Sequence, residues 1–180
     1  APPSVSSEEV ISAVDKVSPD IERIANKVWE ISEVSLLEVK SSEFLKDELK
    51  KAGFKITSEG TSGVPTAFVA EYGSGKPVLG IMLEYDALPE LGNEAVPHKE
   101  PRKDGLTVGH GCGHNLIGAG ALGVGQWAAG LIGSRELAEG LTTWVDHPSN
   151  LVALLGGQRV RDAAAGAPVA ALFAIMTKVG

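Results

Sequence analysis

Apolar residues recur at helical spacing near the start of the chain. Ile21, Ile24, Ala25, Val28 and Ile31 fall three or four apart and predict a helix with one buried face. Upstream, Ser6 followed by Glu9 is a capping-box pattern that opens a short helix to about Val17. Ser18-Pro19 then restarts the helix, with serine as N-cap and proline at the first helical position. Ser41 or Ser42 caps a third helix through Phe44, Leu45 and Leu49, which stops at Gly53. Beyond it the pattern shifts, and residues 54–57, 66–72 and 78–83 read as strands, with Gly73-Ser74-Gly75 as a hairpin turn between the last two. A glycine-rich turn opens a further helix at Asn115. Helices followed by strands and another helix predict an α/β domain, helices packed on a mixed sheet.

From about Gln126 the pattern decays. The segment Ala163-Ala164-Ala165-Gly166-Ala167-Pro168 is close to low complexity. The chain therefore divides into residues 1–125, which carry the patterned elements, and an Ala/Gly-rich tail at residues 126–180. Its 180 residues suit one domain, or one domain with an appendage, and a hydrophobic content of 43% is enough for a core. The net charge of −7 argues against nucleic acid and anionic membranes as partners. The apolar run at residues 163–176 is interrupted by Pro168 and is short for a membrane span, so a soluble protein is expected. Its compartment is open: cytoplasmic, or secreted or periplasmic after signal removal. The chain starts at Ala1, and a single cysteine makes no internal disulfide. Gly118-Ala119-Gly120-Ala121-Leu122-Gly123 fits a dinucleotide fingerprint literally, but a helix start precedes it where a strand is required. Close packing of a small-residue helix against the sheet explains those glycines better.

The chemistry concentrates in Gly109-His110-Gly111-Cys112-Gly113-His114-Asn115. Cys112 is the sole cysteine, and two of the four histidines lie within two positions of it. A thiolate and an imidazole two residues apart on a glycine-rich turn can reach one ion. The same residues also suit a plain turn with solvated histidines and a buried cysteine. A second constellation, Glu84-Tyr85-Asp86-Ala87-Leu88-Pro89, follows the apolar strand that ends at Leu83. Glu84 and Asp86 are two apart, so in extended geometry they point the same way. Either could orient a metal-ligating histidine, because such histidines usually donate their other nitrogen to a carboxylate.

Together, Gly80-Ile81-Met82-Leu83-Glu84-Tyr85-Asp86-Ala87-Leu88-Pro89 and Gly109-His110-Gly111-Cys112-Gly113-His114-Asn115-Leu116-Ile117-Gly118 closely resemble the zinc metallopeptidases of the aminoacylase and glutamate-carboxypeptidase type. Within them the chain looks most like the amidohydrolase branch, which includes aminobenzoyl-glutamate, hippurate and auxin-conjugate hydrolases. Residues 65–70 and the helix around residues 24–33 share the likeness, which runs from about residue 15 to 125. The resemblance implies the N-terminal part of a two-metal, zinc-peptidase-like catalytic domain that cleaves the amide bond of an N-acyl amino acid or dipeptide. It implies Cys112 as a thiolate bridging the metals and His114 as a ligand to one of them. Asp86 would stand behind the site as the catalytic-site carboxylate that orients a ligand, and His110 has no clear ligand role. The ions, zinc or alternatively manganese or cobalt, would acidify the attacking water, with a carboxylate as proton shuttle.

The chain also departs from this pattern. The resemblance calls for a Glu-Glu pair roughly forty residues past the cysteine turn, and no such pair follows Glu9. Glu136 and Glu139 come too early. His147-Pro148, just after Trp144, looks like the family's next histidine ligand displaced toward the cysteine, so His147 completes the candidate metal set. The inserted dimerisation, or lid, domain and the last histidine have no counterpart. The reading is a truncated relative, weakly active or inactive as a hydrolase. The alternative is a non-catalytic binding or regulatory module that keeps the scaffold, for which self-association through uncovered strand edges is expected. A tail encoded in an altered reading frame would also explain the change after Gln126.

Overall fold

Residues 7–31 form one helix, α1 (Ser7–Ile31), with Pro19 inside it, where the serine-proline pair predicts a break. The Ser18 hydroxyl donates back to the Val14 carbonyl at 3.0 Å instead of capping a new helix. Proline removes one hydrogen bond from the ladder, and the apolar stripe downstream of it keeps the segment helical by packing. This computed structural model describes residues 7–60, 63–74, 78–132 and 173–178.

The second helix, α2 (Val39–Lys51), begins before the serines expected to cap it. Its opening turn is capped from outside: the Glu33 carboxylate accepts from the amides of Lys40 (3.2 Å) and Ser41 (2.9 Å) and from the Ser41 hydroxyl (3.0 Å). The Ser42 hydroxyl bonds to the Val39 carbonyl inside the helix. Gly53 ends α2 as expected, at a φ of +88° that suits glycine. The amides of Gly53 and Phe54 close back on the carbonyls of Lys50 and Leu49, both at 3.0 Å.

Among the described residues, four strands form one mixed sheet: β1 (Lys55–Glu59), β2 (Phe68–Gly73), β3 (Val78–Leu83) and β4 (Phe173–Lys178). Their order is β1-β2-β4-β3, with β4 parallel to β2 and antiparallel to β3. The hairpin expected at Gly73-Ser74-Gly75 is therefore absent, because β4 lies between β2 and β3. A tight turn joins only neighbouring strands, and the partner that separates these two lies about a hundred residues away in the chain.

A third helix, α3 (His114–Ile132), opens directly on the glycine-rich turn. It packs chiefly on α1 and against β3, while α2 lies against β1 and β2. Ile24, Ala25 and Val28 of α1 meet Leu45 and Leu49 of α2, Phe68 and Ala70 of β2, Leu83, and Ala119 and Leu122 of α3 in one core. Burial alternates along β3: Leu83 is buried, and Val78, Gly80 and Met82 are exposed on the other face. Among the described residues, no helix is long and apolar enough to cross a membrane.

Candidate metal centre

β3 runs out at Leu83 into the carboxylate segment, and alternation continues for three more residues. Tyr85 turns inward and is fully buried, its hydroxyl donating to the Thr66 carbonyl at 2.5 Å. The Thr66 hydroxyl donates in turn to the buried Glu38 carboxylate at 2.6 Å. Burial pushes the Tyr85 phenol far above its ordinary range, and the nearby Glu38 carboxylate adds to the effect. With Tyr85 anchored inside, Glu84 and Asp86 share the opposite side. Next in the chain, the Ala87 amide donates to the Glu33 carbonyl at 2.8 Å, fixing the segment against the end of α1.

The turn that carries Cys112 is zipped to this segment. Leu88 and Gly109 exchange two backbone hydrogen bonds, at 2.9 and 3.0 Å. A Cβ at Gly109 would lie 2.2 Å from the Leu91 carbonyl oxygen, so only glycine permits the approach. On the far side of the turn, a Cβ at Gly118 would lie 2.7 Å from the Glu84 carbonyl oxygen, which brings the first turn of α3 against the strand end.

These constraints place His114 between the two carboxylates. Its Nδ1 lies 2.8 Å from Asp86 Oδ1, and its Nε2 lies 3.0 Å from Glu84 Oε2. The Asp86 side chain is 6% exposed and that of Glu84 49%, so one carboxylate backs the ring and the other faces solvent. Glu84, Asp86 and His114 each offer one ligand atom, all within 4.8 Å of one another. The imidazole Nε2 with the Glu84 carboxylate beside it is a donor pair that zinc or manganese accepts, with Asp86 on the other ring nitrogen.

The expected residues separate at this point. The structure brings Asp86 and His114 together, with Asp86 Oδ1 against His114 Nδ1. Cys112 is exposed on the turn and outside the three-residue group. His147 lies outside the described residues, as do Glu136 and Glu139. Glu84 approaches the histidine as directly as Asp86 does. The strand alternation that sends Tyr85 to the core is the signal for it, since it puts both acids on the opposite side, where His114 lies between them.

His110 sits beside the centre without joining it. Its Nε2 lies 3.2 Å from the Val28 carbonyl, and since a carbonyl only accepts, that nitrogen carries the proton. Desolvation holds the ring's pKa below the ordinary histidine value, which favours the neutral form. Asn115, the residue after His114, donates from Nδ2 to the Ala25 carbonyl at 3.2 Å.

No family model matches the chain. Over 120 residues, 63% of its length, it is 38% identical to a subunit of the p-aminobenzoyl-glutamate hydrolase of Escherichia coli (strain K12), spanning 25% of that protein. It is 29% identical over 154 residues to thermostable carboxypeptidase 1 of Saccharolobus solfataricus, covering 84% of this chain and 37% of that one. A solved structure from methicillin resistant Staphylococcus aureus, of a protein described as an aminohydrolase, superposes on 96% of this chain and 34% of its own with a TM-score of 0.52 at 11% identity. That likeness is one of fold, and it agrees with an α/β arrangement of helices on a mixed sheet. The chain thus spans between a quarter and about two fifths of the relatives it matches. The resemblance to amidohydrolases and carboxypeptidases, carried above by the two motifs, extends over most of its length.

Proposed function

We propose that this chain carries the metal-binding portion of a metal-dependent amidohydrolase acting on an N-acyl amino acid or dipeptide. One observation carries the reading: His114 is held between a buried and an exposed carboxylate where a strand meets a glycine-rich turn. Residues 1–125 supply this scaffold. With an ion on Nε2, Asp86 would accept the Nδ1 proton and hold the ring, an arrangement common behind metal-bound histidines. Glu84 on the open side, and Cys112 two residues before His114, are the next ligands by position, with His147 as a further one from the tail. A bound zinc, manganese or cobalt ion would polarise the amide carbonyl and acidify the attacking water.

The chain lacks the paired glutamates that the resemblance calls for as base and ligand. We therefore expect hydrolysis by this chain alone to run about two to four orders of magnitude below that of a relative with a general base. The test is elemental analysis of protein purified without chelator, wild type beside His114→Ala and Cys112→Ser, followed by assay with p-aminobenzoyl-glutamate and N-acyl amino acids. Near-stoichiometric metal that is lost in His114→Ala supports the centre. Loss in Cys112→Ser as well adds the thiolate to it. Absence of metal from the wild type rejects the reading, and fast turnover rejects the expectation of weak activity.

A further inference from the structure

His110 and Asn115 bracket the Cys112 and His114 pair in sequence. Both reach to the same helix: His110 Nε2 donates to the carbonyl of Val28, and Asn115 Nδ2 to that of Ala25. Ala25 and Val28 are both buried and sit three residues apart on one face of α1, which separates the two carbonyls by about 4.5 Å along the helix axis. Two anchors one turn apart fix both the position and the direction of the segment between them.

Neither carbonyl needs these donors. The Val28 carbonyl already accepts from the Ser32 amide at 3.0 Å. Ala25 lies inside α1, where a carbonyl has its partner four residues on. The contacts are also costly for the side chains that make them. His110 Nδ1 is buried with no hydrogen-bond partner among the described residues, a position in which an unmet acceptor normally disfavours histidine. What gains is the turn: the Leu88–Gly109 pairing ties its start and the Gly113 amide bonds to the His110 carbonyl at 3.0 Å, but the glycines at 111 and 113 supply no side chain to hold the stretch beyond, and Gly113 sits at a φ of +75°.

We infer that His110 and Asn115 are positioning residues: they pin the glycine-rich turn to the buried face of α1 at two points and so preorganise the ligands between them. The inference rests on the metal-centre reading and adds to it the pair of side chains that sets metal affinity without touching the ion. A turn held in its binding geometry before the ion arrives loses less conformational freedom on binding, and affinity rises accordingly.

The test is zinc titration of the full 180-residue chain against a chromophoric chelator, with thermal melts of the metal-free proteins alongside. His110→Phe keeps the ring and removes the donor; it should weaken zinc binding about ten- to a hundredfold, the range for residues that orient metal ligands. His110→Gln places an amide N–H where Nε2 stands and should keep most of the affinity. Leu49→Ala, in the core beneath α2, should lower the melt at least as far as His110→Phe and leave zinc affinity unchanged. Should His110→Phe fail to fold, Asn115→Ala tests the second anchor by the same readout, and an affinity loss there supports the pinning. Wild-type affinity in His110→Phe overturns the inference, as does an equal loss in Leu49→Ala or a failure of His110→Gln to rescue. A wild-type chain that binds no zinc removes the centre itself and the inference with it, an outcome distinct from zinc bound equally by all variants.

Discussion

Two polar clusters hang from the same three residues past β3, and they differ in every respect that matters. On the inner side, Tyr85, Thr66 and Glu38 are at most 6% exposed, and their hydrogen bonds run from one to the next inside the protein. On the outer side, Glu84, Asp86 and His114 grade from a buried carboxylate to a half-exposed one, with the imidazole between them. The inner cluster anchors the strand end, while the outer one leaves ligand atoms converging toward solvent. A single alternation of the backbone therefore divides one short segment into a structural half and a half whose side chains could hold a metal ion. If so, stability and metal affinity should respond to different substitutions.

The largest effect belongs to the inner side. Tyr85→Ala removes a fully buried ring that packs at a 6.2 Å centroid distance from Phe68, and it should cost about 3–5 kcal/mol in a denaturant melt of metal-free protein. Tyr85→Phe keeps the ring and leaves the Thr66 carbonyl without its donor, at about 1 kcal/mol. Zinc bound per folded chain should be unchanged in Tyr85→Phe; a loss of metal there would join the two clusters into one.

Arg102 sharpens the comparison because it clamps a loop by the inner pattern at some distance from the core. Its guanidinium, 3% exposed, donates to the carbonyls of Trp29 (2.9 Å) and Glu30 (3.2 Å), pairs with Asp104 and stacks 4.1 Å from the Trp29 ring centroid. A cation at the carboxyl end of α1 is favoured by the helix dipole as well. Arg102→Ala should lower stability by about 1.5–3 kcal/mol, the scale of charge-assisted hydrogen bonds. Arg102→Lys should recover only part of it, because an ammonium cannot fork between carbonyls and carboxylate or stack as a plane. Full recovery with lysine would mean that charge alone holds the loop.

The outer side should show the reverse profile. Asp86→Asn should weaken zinc binding about ten- to a hundredfold, equivalent to about 1.4–2.7 kcal/mol, because the buried carboxylate that fixes His114 becomes neutral. Glu84→Gln should also weaken binding, and being half exposed it should shift the melt by no more than about 0.5 kcal/mol. A melt that falls with Glu84→Gln while zinc affinity holds would place this residue among the structural ones.

Local signals and distant ones were not equally legible in the sequence. Gly53 ends α2 where a helix-stopping glycine predicts. Residues 78–83 form the strand that their apolar run implies, and the two motifs that follow it meet in space, Asp86 against His114. The errors have local physical causes. A serine hydroxyl satisfies a carbonyl inside a helix as readily as it caps one, so Ser18 and Ser42 misplace two helix starts. The cap of α2 comes from Glu33, outside the helix and invisible to a pattern that looks for serine at the boundary. The hairpin fails for another reason, since the strand that intervenes, β4, lies far along the chain and no turn residue records it. Glu84 was readable as sharing a side with Asp86, but its approach to His114 depends on how closely Gly118 lets α3 come.

The smallest predicted effect lies away from both clusters, at Glu48 on α2, a buried carboxylate under two exposed cations, and gauges how much that pairing contributes. Its carboxylate bonds to Arg23 and, at 2.7 Å, to Lys51, and the Arg23 bond above all holds its pKa below the usual carboxylate value of 4.5. A carboxylate with a lower pKa in the folded state than in the unfolded one stabilises the fold above the unfolded value, and that contribution is lost as pH falls below about 4.5 toward the folded pKa. Both cations are at least half exposed, so water and salt screen the pair and the contribution should be about 0.5 kcal/mol. Glu48→Gln should therefore flatten the acid limb of the stability profile slightly as pH falls below the unfolded carboxylate value, leave zinc binding at neutral pH unaltered, and lose its effect in high salt. A larger change at Glu48 than at Tyr85→Phe would mean that ion pairing on α2, rather than the inner cluster, dominates the stability of this fold.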